Sequence, residues 1–107
     1  MKMPFLPQLE TMVKEFLQSE RPMMYRRMLA AEELDAVATM RAEAAREAYE
    51  TQMAERPETE FAEMNRQLKT DPLASVRYMT QRQNRIVEDV LAQMLDFPSE
   101  ETEEATT

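Results

Sequence analysis

Residues 21–44 read RPMMYRRMLAAEELDAVATMRAEA, and how far they run as one helix decides the fold. Ala, Leu, Met, Arg and Glu, the better helix formers, fill the stretch, and Pro22 suits a first helical position. The pattern continues to the residues before Pro57. The reading is a single helix from Pro22 to Glu55, about 34 residues and roughly 50 Å at about 1.5 Å per residue. A compact domain of this size would be only about 35 Å across. The helix must therefore kink or make the molecule elongated, and elongation is the simpler expectation.

Projected at about 100° per residue, this helix shows two adjoining stripes. One carries Met23, Ala30, Val37 and Ala44, and the next carries Met24, Ala31, Ala38 and Ala45. Repetition every seven residues marks a coiled-coil-like seam, and small side chains allow close helix approach. Leu34 lies at its centre, with Arg27 and Arg41 seven residues to either side. Three readings suit the two arginines: snorkelling to water, pairing with carboxylates across a helix interface, or binding phosphate. Near the start, Met23, Met24 and Met28 cluster beside Tyr25, and Met, Arg and aromatic enrichment is the composition of interface centres. The expected partner interface is Met23, Met24, Tyr25, Arg27, Met28, Ala31, Leu34, Ala38, Arg41 and Ala45.

The rest of the 107-residue chain agrees with an all-α class. Glycine is absent, so tight hairpins, glycine helix caps and phosphate-cradling loops lack their usual residue. Prolines at 7, 22, 57, 72 and 98 punctuate the helical patterns. The spacing predicts helices from about Pro7 to Ser19, Pro22 to Glu55, Glu58 to Lys69, and from Asp71 as N-cap to about Asp96. The expected fold is an elongated bundle of about four helices with one long central helix. Residues 1–97 form the domain, and PSEETEEATT (98–107) reads as an acidic disordered tail holding four glutamates.

The fourth helix has an apolar arc of Leu73, Val76, Met79, Ile86, Val87, Val90, Leu91 and Met94, interrupted by Thr80, Gln83 and Asn84. Polar groups on a buried face require hydrogen-bond partners, so these three read as a register-fixing layer, with Arg41 one candidate partner. Its other face shows Tyr78, Arg82 and Arg85, and with Arg26 these form a possible nucleic-acid contact.

Cysteine and histidine are both absent, which removes thiol nucleophiles, imidazole bases and nearly all zinc or haem sites. No cofactor, metal, small-molecule substrate or membrane partner is expected, and a cytoplasmic, bacterial or phage setting is the default. The pairs Glu47/Glu50 and Glu60/Glu63 resemble the ExxE elements of MazG-like nucleotide pyrophosphohydrolases. That resemblance implies magnesium held by those carboxylates. The pairs lie closer together than in that family, and its closing ExxD has no counterpart here. The leading expectation is a non-enzymatic protein–protein interaction protein, such as an assembly chaperone, adaptor, scaffold subunit or inhibitor, which self-associates as a homodimer or larger. The second is a nucleic-acid-associated regulator, and the enzyme comes third.

Overall fold

The computed structural model describes residues 2–55, 62–63, 65–66 and 73–100. Four helices are bounded within them, α1 (Leu6–Glu20), α2 (Pro22–Ala30), α3 (Leu34–Ala54) and α4 (Ala74–Met94). The described residues contain no strand. The helix expected over 58–69 lies outside the described residues apart from 62–63 and 65–66, which are helical. The expected Asp71 N-cap also lies outside them.

The long helix is two helices. Between α2 and α3 the chain leaves helical geometry at Ala31–Glu33, and Glu32 has φ +58°. The Glu33 N–H donates to the Met28 carbonyl at 2.8 Å, and the Glu32 N–H to that of Leu29 at 3.2 Å. This pair of bonds is the Schellman termination, which usually places glycine in the left-handed position. Without glycine, glutamate takes it, at about 1–2 kcal/mol of steric cost. The break turns α2 so that Met24, Tyr25 and Met28 pack against the core. Fully burying one such side chain contributes about 1.5–3 kcal/mol, so three half-buried ones outweigh a single strained residue.

α3 is the central element, and both neighbours run antiparallel to it. Lys14 meets Asp35 at 2.5 Å, Thr39 donates to Glu10 at 3.3 Å, and Arg46 reaches the Pro4 carbonyl at 3.4 Å, which orients α1. Gln83 donates to the Tyr49 hydroxyl at 3.1 Å while Arg41 reaches the end of α4, which orients that helix. Leu9, Val13 and Leu17 of α1 and Ile86, Val87, Val90 and Met94 of α4 share one core with Leu34, Ala38, Ala42 and Ala45 of α3. Large residues on the flanks meet alanines in the middle, which lets the layers interdigitate.

The molecule is elongated, measuring 59 × 30 × 20 Å with a radius of gyration of 18.4 Å, against about 13 Å for a compact chain of this length. Its longest helices, α3 and α4, each have 21 residues and span only about 31 Å. A single overlong helix is therefore not the cause.

Candidate interaction surface

α2 is nine residues long and contains no buried residue. An isolated helix of that length is marginal in water, so its ends need holding. At its C-terminus the 31–33 turn closes it. At its N-terminus Pro22 sits in the first turn, where its missing N–H is harmless. The following N–H groups meet a carboxylate from the far end of the described chain. Met24 N–H donates to Glu100 Oε1 at 2.8 Å and Met23 N–H to Oε2 at 3.4 Å. An anion belongs at that end of a helix dipole, and it offsets the arginines that sit against the field there.

Arg21, just before α2, holds the same segment. Its Nε donates to the Pro98 carbonyl at 2.8 Å and its Nη2 to that of Phe97 at 3.3 Å. Phe97 stacks with Phe16 of α1 at 6.2 Å between centroids. Each ring also carries a guanidinium, Arg21 at 5.2 Å from the Phe16 centroid and Arg41 at 4.1 Å from that of Phe97. Residues 98–100, the start of the segment expected to be a disordered tail, are thus docked on the body. Residues 101–107 lie outside the described residues.

With its ends fixed, α2 turns Met23, Arg26, Arg27 and Ala30 outward, and Leu29 is exposed beside them. The outward face of α3 has the opposite charge: Met40 is 67% exposed and lies among exposed Glu43, Glu47 and Glu50. Arg46 approaches Glu50 at 3.8 Å. Each face therefore has an exposed methionine among charges of one sign.

The expected interface residues separate into three groups. Met23, Arg27 and Ala31 are exposed, whereas Met24, Tyr25 and Met28 are half-buried against the bundle. Leu34, Ala38 and Ala45 are buried in the core. Ala38 and Ala45 of the seam are therefore covered by α1 and α4 of the same chain, whereas Ala30, Ala31 and Ala44 are exposed. The cause is the break at Ala31–Glu33, which allows α3 to lie between two neighbours instead of overhanging them.

Arg41 turns to the end of α4. Its Nη1 lies 3.4, 3.5 and 3.2 Å from the Gln93, Met94 and Asp96 carbonyls, so it caps the C-terminus of α4. Arg82 does the reverse. It is 9% exposed, and its guanidinium donates to the carbonyls of Gln52 at 2.7 Å, Met53 at 3.5 Å, and Glu55. Each helix of the α3/α4 pair thus supplies an arginine to the other's C-terminal carbonyls, where positive charge is favoured.

The burial of Arg82 corrects its assignment to an outward basic stripe. Arg85 and Arg26 are exposed, and Tyr78 is half-buried. The polar layer of α4 is reduced as well. Gln83 pairs with Tyr49 rather than Arg41, Asn84 is half-buried, and Thr80 is exposed together with Leu73 and Val76. Of the ExxE pairs, Glu47 and Glu50 face outward, Glu63 pairs with Arg66, and Glu60 lies outside the described residues. Among the described residues no three acidic, Cys or His side chains form a group able to hold a metal, and no helix is long and apolar enough to cross a membrane.

Sequence patterning missed Arg21, Glu100 and the Phe16–Phe97 stack, because contacts between distant parts of the chain leave no periodic trace. It also missed Met40, which the helical projection places just outside the stripe of Val37 and Ala44. No protein-family model, curated protein or solved structure matches the chain.

Proposed function

We propose that this protein acts by association, as a non-enzymatic subunit or adaptor, and that its first partner is a second copy of itself. The observation that carries this reading is α2, a short helix that buries no residue yet is held at both ends with Met23, Arg26, Arg27 and Ala30 facing out. Met24, Tyr25 and Met28 rest the inner side of this helix on the core, which leaves its outward face as a contact surface.

Charge complementarity selects the partner. Arg26 and Arg27 with Met23 on α2 match Glu43 and Glu47 with Met40 on α3 in both sign and apolar content. Exposed ion pairs contribute only about 0–1 kcal/mol each, and standard interfaces bury about 800 Å² per partner. A contact confined to these two helix faces is weak, reversible and salt-sensitive.

A charge swap tests the pairing. Arg26→Glu with Arg27→Glu abolishes self-association, and Glu43→Arg with Glu47→Arg does the same. Mixing the two variants restores a complex measurable by sedimentation velocity. Failure of the mixture to associate, with each variant folded, contradicts the pairing.

A further inference from the structure

We propose that the segment 97–100 is a latch for α2: the Glu100 carboxylate on the Met23 and Met24 N–H groups holds this helix against a bundle that otherwise folds without it. Glu100 and Arg82 are the polar side chains buried among the described residues. Arg82 lies between α3 and α4, but Glu100 closes a contact between the segment after α4 and a helix 76 residues earlier.

The latch has two polar parts. Glu100 satisfies two N–H groups that α2 cannot satisfy internally. Arg21 grips the Phe97 and Pro98 carbonyls, which places Glu100 at the right height. Phe97 is buried and stacked on Phe16, so the segment is anchored to the core on its other side. The core of α1, α3 and α4 uses Leu9, Val13, Leu17, Ala38, Ala42, Val87 and Val90, none of which belongs to α2.

Removing the carboxylate therefore loosens one element rather than the fold. Cleavage of the chain between Phe97 and Glu100, or capture of the carboxylate by a partner's cation, releases α2. In the released state Met23, Arg26 and Arg27 are no longer presented in fixed register. That last consequence rests on the proposed function, whereas the latch itself does not.

The test is amide hydrogen exchange on the full chain carrying Glu100→Ala, at dilution low enough to remove any self-association. Loss of a helix cap of this kind shifts a local equilibrium about 5- to 30-fold. Exchange across residues 24–30 should speed up by that factor, with amides at Val13, Ala42 and Val87 unchanged. Arg21→Ala should act on the same residues, and Glu100→Gln, which keeps an acceptor oxygen, should act less. Unchanged exchange in α2 overturns the latch. So does equal acceleration in α1, α3 and α4, or a Glu100→Ala chain that fails to fold, because each would make Glu100 part of the global fold. Cleavage by trypsin after Arg26 and Arg27 gives a second readout and should accelerate in parallel. If self-association proves absent while these changes occur, the latch stands and the dimer reading fails.

Discussion

Glu32 is the residue at which local propensity and tertiary packing disagree most clearly. Its φ of +58° suits glycine, and Ala30-Ala31-Glu32-Glu33 has no glycine or proline to announce a stop. Glu32→Gly should therefore stabilise the fold by about 0.5–1 kcal/mol, since relief of strain exceeds the added backbone entropy. Thermal unfolding should rise by a few degrees, and an unchanged or lower midpoint would show that the left-handed turn carries no strain. The turn was not legible because each of its residues is a good or neutral helix former, and only the burial of Met24, Tyr25 and Met28 explains it. Lys14 offers a pH-dependent test at the same scale. Its hydrogen bond to Asp35, with that carboxylate's charge adding to it, holds the ammonium above its ordinary 10.5 against a smaller desolvation effect. A raised folded-state value means that this contact's contribution is complete below about pH 10.5 and disappears as pH rises through the folded value. Asp35→Asn should lower the Lys14 titration midpoint read by NMR and flatten the alkaline limb of the stability curve.

The elements are joined at their ends as much as along their faces. Arg41 and Arg82 lie at opposite ends of the α3/α4 pair, and each caps the helix it does not belong to. Arg82→Ala leaves part-buried carbonyls without their donor and should destabilise by about 1–3 kcal/mol, whereas exposed Arg85→Ala should stay within about 0.5 kcal/mol. Equal effects in urea unfolding would contradict the capping assignment. Combined with Arg41→Ala the losses should add, because about 18 Å of α3 separates the two levels. The small-residue face of Leu34, Ala38 and Ala45 was legible from the seven-residue repeat, but its occupant was not. Periodicity identifies a face that is covered, and it does not say whether the same chain or another covers it. Ala38→Glu is accordingly expected to unfold the monomer, because it buries a charge at a fully covered position, and circular dichroism should show this even at high dilution. A folded Ala38→Glu monomer would contradict this core.

At the scale of the whole molecule, the all-α class was legible from composition alone, since glycine is absent and helix formers dominate. Elongation was legible too, but its expected cause, one unbroken helix, is not found: the described residues hold four shorter bounded helices in a molecule 59 Å long. Function was far less legible, because its proposed carriers are two outward helix faces with no catalytic motif. Those faces are opposite in charge and similar in apolar content, which is the ground for proposing a second copy as the partner. The most direct test is the absolute mass of the protein by light scattering over a range of concentrations, at low and high salt. The expected result is a mass rising from 12.6 kDa towards twice that value with concentration, and falling back when salt is added. A constant 12.6 kDa at every concentration in low salt would contradict self-association through α2 and α3.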